Sequence, residues 1–176
     1  CRDMEELCPD VTLKNPPTLT CPLIKVVADS IMVRRMPSLS PWSSRKAAVT
    51  KAQAAFPAWR DIVPRKRAEV LIRAAQIMRD RRDELSGIIV KESGKTWRES
   101  DADVCEAIDF CEYYARMAVP QFERKRLGKF VGELDEQWHQ PCGVAVVISP
   151  WNFPLAICTG MTTAALVTGN TVIVKP

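Results

Sequence analysis

The chain has 176 residues, 47% hydrophobic and 26% charged with only seven glycines, which suits a folded domain and excludes a collagen-like, low-complexity or wholly disordered chain. Twenty-five Lys and Arg against 21 Asp and Glu give +4, and the signs interleave in runs such as MRDRRDEL, so no single-sign field is built for a nucleic acid or a membrane surface. Seven cysteines and one histidine form no CxxC pair and no zinc-ligand spacing; no metal site is expected, and an odd cysteine count without a basic-then-apolar leader fits reduced thiols in the cytoplasm. A first residue other than Met points to a processed or incomplete chain.

Residues 1–42 hold six of the 13 prolines, and no glycine occurs before Gly87. They show neither helical nor strand period and are read as irregular, with no function attached. From Ser43, SSRKAAVTKAQAAF predicts a short helix running to Pro57, with Ala47, Ala48, Ala54 and Phe56 as its apolar content. Pro64 fits the first turn of a longer helix, whose stripe of Ala68, Leu71, Ala75, Met78, Leu85 and Ile89 is broken only by Arg82. SGK at 93–95 punctuates it. A third helix follows with Trp97, Val104, Ile108, Cys111, Ala115 and Ala118 on one side, and Asp101, Asp103, Glu106, Asp109 and Glu112 read as a solvated face. Residues 43–120 are thus helical. Residues 121–142, with two glycines and alternating polar and apolar stretches, predict a strand pair projecting from the body; His139 there is read as structural rather than as a base.

No charged side chain occurs between Gly143 and Val174. A membrane span would need about 20 uninterrupted apolar residues, and Pro150, Asn152, Pro154, Gly169 and Asn170 cut this stretch into shorter pieces. VAVVI (144–148) and TVIVK (171–175) read as strands buried on both faces, PLAICTGMTTAALVTG as the helix between them, and Gly169-Asn170 as its stop. The expectation is a right-handed β-α-β unit over 143–176.

Ligands of such units gather where the strands end. Two features lie there: Ser149-Pro150-Trp151-Asn152-Phe153-Pro154 and Lys175. The prolines stiffen the turn, and a fixed Asn152 carboxamide could donate to a developing oxyanion; alternatively Asn152 satisfies its own turn backbone. Lys175 could reach sugar hydroxyls or phosphate, or be an ordinary surface lysine. No GxGxxG occurs, so the glycine fingerprint for a dinucleotide is absent.

VVISPWNFPLAICTGMTTAALVTGNTVIVKP resembles the aldehyde dehydrogenase superfamily, as does AAFPAWRDIVPRKRAEVLIRAAQIMRDRRDELSGIIVKESGKTW upstream. WRESDADVCEAIDFCEYYAR is most similar to its proline-catabolic branch, the 1-pyrroline-5-carboxylate dehydrogenases, and the resemblance runs from about Ser43 to Pro176. It implies an α/β chain: N-terminal helices, an oligomerisation strand pair at 121–142, and the first β-α-β of a Rossmann-like nucleotide-binding domain, incomplete. It also implies an oxyanion role for Asn152, a cofactor cleft lined by Ile148, Ser149, Pro150 and Trp151, and a ribose contact for Lys175.

The implied chemistry is attack of a cysteine thiolate on an aldehyde, hydride transfer to NAD (NADP being the alternative), and release of the acid by a glutamate-activated water. The implied substrate is L-glutamate γ-semialdehyde, with succinate semialdehyde or another aldehyde as the alternative, and the implied full-length state is a homo-oligomer. The family's nucleophile and general base lie beyond Pro176. Cys142 and Cys158 lack the nucleophile's context and are read as buried packing thiols, so the chain alone is expected to be inactive. A rival reading is a non-catalytic interaction module.

Overall fold

The computed structural model describes residues 42–175; the irregular reading of the first 41 residues lies outside them. Helix α1 (Trp42–Arg60) passes through Pro57 instead of stopping there. Proline removes one helical N–H, yet the Asp61 N–H still returns to the Pro57 carbonyl at 3.1 Å. Beyond it, Trp59 is buried and donates its indole N–H to the Leu166 carbonyl at 2.9 Å. This distant anchor holds the last turn, whereas Ala47 and Ala54 are exposed.

The long helix predicted from Pro64 is two helices, α2 (Pro64–Asp80) and α3 (Arg82–Ser93), broken at Arg81 with φ −110° and ψ 17°. All six stripe residues, Ala68 to Ile89, are nevertheless buried. The break resolves the conflict posed by Arg82: its guanidinium leaves the stripe and pairs with Asp101, Nε to Oδ1 at 2.5 Å. Gly94, at φ 69°, ends α3 in the left-handed region that glycine tolerates. Thr96 and Glu99 then cap α4 (Trp97–Ala118) reciprocally.

Helix α4 buries Val104, Ile108, Cys111, Ala115 and Ala118 against α2, α3 and the later helix α5 (Ala156–Val167). Trp97 departs from the expected stripe: on the first turn it meets only the rim of its neighbours and is 55% exposed. Residues 121–142 hold a short antiparallel pair, β1 (Lys125–Arg126) and β2 (Glu136–Gln137). His139 sets Nδ1 2.9 Å from the Gln121 carbonyl, a tie across the base of this hairpin.

Strands β3 (Val144–Ile148) and β4 (Thr171–Lys175) pair in parallel, Val144 opposite Thr171 through Ile148 opposite Lys175, with α5 as the crossover. Helices α1 and α5 both pack on this pair. Burial on both faces, expected from the sequence, is not met: Val147 is buried, but Val146 and Ile148 are 61% and 66% exposed. A two-stranded sheet lacks the neighbours that would cover them.

Arg67 locks the layers together. Buried on α2, it donates Nε to the Val167 carbonyl at 3.0 Å and Nη1 to the carbonyls of Arg60, at 3.1 Å, and Ile62. The last carbonyls of α1 and α5 have no helical partner of their own, and a cation there answers both the lost bonds and the dipole. Among the described residues no helix is long and apolar enough to cross a membrane, and no group of three or more His, Cys, Asp or Glu is placed to hold a metal ion.

Candidate functional site

The register of β3 and β4 brings Ile148 beside Lys175, and the Ser149 N–H donates to the Lys175 carbonyl at 3.3 Å. Three of the six residues singled out from sequence therefore meet at the carboxyl edge of the strands. The other three, Pro150, Trp151 and Asn152, follow in the turn that leaves it and are exposed, Trp151 to 83%. Lys175 is exposed as well.

The far end of this turn is buried. Leu155 and Ala156 lie in the core, and the Ala156 N–H donates to Asp103 Oδ1 at 2.7 Å. The other oxygen, Oδ2, receives Lys95 Nζ at 3.0 Å, and the same ammonium stands 4.3 Å from the centre of the Phe153 ring. Asp103 was placed with the solvated carboxylates, yet its side chain is 1% exposed. The signal lay in its spacing: Asp103, Ala107 and Cys111 recur every fourth residue and share the buried face of α4. Lys95 carried no comparable sign, since it lies between helices.

The two asparagines of the unit behave differently. Asn170 Oδ1 accepts the Cys142 and Gly143 N–H groups at 2.7 and 2.9 Å, stitching the start of β3 to the end of α5. This is backbone satisfaction of the kind weighed for Asn152. The Asn152 carboxamide makes no hydrogen bond among the described residues.

No described thiol lies in the turn that carries Asn152. Cys158 is buried in α5. Cys142, expected to be buried, is exposed, because it precedes β3 at the open amino edge. The five-residue strand puts it about 16 Å from the edge that carries Asn152. Cys111 is fully buried, and desolvation pushes its thiol up to about 12, so it stays protonated and unreactive at neutral pH. A concavity of about 550 Å³ opens elsewhere, in the β1–β2 segment, lined by Leu127, Phe130, Leu134 and Trp138; no residue of the turn borders it.

The profile described as "Aldehyde dehydrogenase family" matches residues 35–176. The chain belongs to the aldehyde dehydrogenase family. The match reaches eight residues further upstream than the resemblance read from Ser43. Among curated proteins, 1-pyrroline-5-carboxylate dehydrogenase 2 of Halalkalibacterium halodurans is 50% identical over 129 residues, covering 73% of this chain and 25% of that protein. The 1-pyrroline-5-carboxylate dehydrogenase of Anoxybacillus flavithermus is 52% identical with the same coverage. Among solved structures, 1-pyrroline-5-carboxylate dehydrogenase from Thermus with bound NAD superposes with a TM-score of 0.74 at 44% identity, covering 78% of this chain and 27% of that one. Proline utilization A from Bdellovibrio bacteriovorus gives 0.75 at 42% identity, covering 78% and 14%. The chain thus spans about a quarter of the length of the curated relatives it matches.

Proposed function

We propose that this chain supplies the first part of an NAD(P)-dependent aldehyde dehydrogenase that oxidises L-glutamate γ-semialdehyde to glutamate in proline degradation. The observation that carries the site is the uncommitted Asn152 carboxamide, held in a proline-braced turn at the carboxyl edge of a parallel strand pair. A donor fixed before charge appears costs no reorganisation when the aldehyde oxygen becomes an oxyanion. Asn152 donates that hydrogen bond; the thiol and the general base come from residues outside this chain. The substrate follows the relatives named above, at about half identity.

The edge also fits a nicotinamide dinucleotide. Ile148 and Trp151 give an exposed apolar surface for a flat ring, and Lys175, in register with Ile148, gives a cation for ribose hydroxyls. Ser149 and Pro150 shape the cleft between them. The first amide of α5 is already taken by Asp103, so this helix does not offer that donor to the phosphates. When bound, the cofactor accepts the hydride; NAD is the first choice and NADP the second.

The β1–β2 segment supports a homo-oligomer of the full-length protein. It exposes Leu127, Phe130, Val131 and Leu134, each at least 65% accessible, on a projection with little core of its own. A cytoplasmic location agrees with the free thiols of Cys105, Cys111, Cys142 and Cys158 among the described residues.

The test is Asn152→Ala in the intact enzyme, assayed by NADH formation from glutamate semialdehyde. Turnover should fall roughly 10²- to 10³-fold while NAD binding is retained. A variant that loses folding stability but turns over normally per folded molecule would restore the turn-residue reading.

A further inference from the structure

We propose that Asp103 is a positioning residue for Asn152: its buried carboxylate pins the far end of the turn and thereby sets where the carboxamide is held. This rests on the oxyanion reading of Asn152. A carboxylate out of water persists only when its oxygens are answered, and both are. Oδ1 takes the Ala156 N–H, the first amide of α5, which has no acceptor within its own helix. Oδ2 takes the Lys95 ammonium, whose other face meets the Phe153 ring. One ion pair from α4 and its preceding loop therefore grips two residues, Phe153 and Ala156, on the side of Asn152 away from the sheet.

The opposite side is gripped by β3, through the bond from the Ser149 N–H to the Lys175 carbonyl. Between these points Pro150 and Pro154 have φ fixed by their rings. Asn152 is thus suspended between two anchored ends, and only one anchor, Asp103 with Lys95, is made of side chains. Ile148 to Trp151, on the strand side, depend on the other. Loss of Asp103 should therefore disturb the carboxamide and spare the cofactor face. A cap that served stability alone would show no such division.

The experiment is steady-state kinetics of the intact enzyme carrying Asp103→Ala, Asp103→Asn, Asn152→Ala, and Asp103→Ala with Asn152→Ala, each normalised to folded protein by NAD-binding stoichiometry. Asp103→Ala should lower kcat by about 10- to 100-fold, the scale of a small misplacement at a reacting centre, with KM for NAD unchanged. Asp103→Asn, which keeps an acceptor for the Ala156 N–H but gives up the ion pair to Lys95, should recover part of that loss. The double variant should fall no further than Asn152→Ala alone. Full turnover per folded molecule in Asp103→Ala, or losses that multiply in the double variant, overturns the proposal while leaving the role of Asn152 standing. An Asn152→Ala enzyme with normal kcat overturns the oxyanion reading and this proposal with it. If Asp103→Ala does not fold, Lys95→Met decides: it must lower kcat without changing KM for NAD, and unchanged turnover overturns the proposal.

Discussion

At Gly169 the backbone adopts φ 88°, and a Cβ built there would lie 2.6 Å from Pro141 Cγ and 3.1 Å from Arg67 Cζ. Two costs coincide: a left-handed conformation that L side chains resist, and a collision with the Pro141 ring beside a tight contact with the arginine that ties the ends of α1 and α5. Gly169→Ala should destabilise the fold by about 2 to 5 kcal/mol. Urea unfolding measures this, and an unchanged midpoint would show that the Arg67 cluster can shift at no cost. The stop at Gly169-Asn170 was legible in the sequence because glycine's freedom at a helix end is local chemistry. Arg67 was not: within Arg65-Lys66-Arg67 nothing marks which cation is buried, and its carbonyl partner on α5, Val167, lies 100 residues away.

Helices α2, α3 and α4 are joined by side-chain clamps as well as by their apolar stripes. Glu112 of α4 accepts from Arg79 of α2 at 2.6 Å and also pairs with Arg116, and those hydrogen bonds, that from Arg79 first, hold its carboxyl below the ordinary 4.5. Asp101 is likewise held below 3.8 by the Arg82 guanidinium of α3. A depressed carboxylate pKa means that the unfolded chain takes up the proton first, so these clamps stabilise the fold above the ordinary values and fade as pH falls through the lower folded ones. Stability should therefore decline below about pH 4.5. Glu112→Gln should flatten that decline, modestly because the arginines are solvent-exposed, and less so in high salt. Urea midpoints followed from neutral to acid pH measure it; parallel curves for the variant and the parent chain would exclude Glu112 as a contributor. Periodicity made the apolar faces of these helices legible, since burial at spacings of three and four residues needs only the sequence. It could not show the break at Arg81, which depends on Asp101 standing where Arg82 must turn, nor the burial of Asp103, whose polarity is the same whether water or an amide meets it.

On the scale of the whole chain, the β-α-β unit was legible because an uncharged stretch punctuated by proline and glycine admits few other arrangements. The exposure of its strands was not, because strand composition reflects burial within a wider sheet, and among the described residues this sheet has two strands. Val146 and Ile148 lie open on that pair, and the β1–β2 segment adds further apolar surface. The isolated chain should therefore self-associate as concentration rises. Sedimentation measures it: Val146→Lys should weaken the association, and a monomer unaffected by concentration would show the exposed strands to be inert.

The long hydrogen bonds onto the C-terminal unit carry a temporal consequence. Trp59 reaches Leu166, Arg67 reaches Val167 and Thr171 reaches Ala52, across separations of 107, 100 and 119 residues. None can form on a ribosome until the end of α5 has emerged, whereas α2, α3 and α4 can pack within about fifty residues of one another. Synthesis therefore imposes an order: the helical layer condenses first with Arg67 not yet joined to α5, and closing that bond is the late event that joins the β-α-β unit to its support.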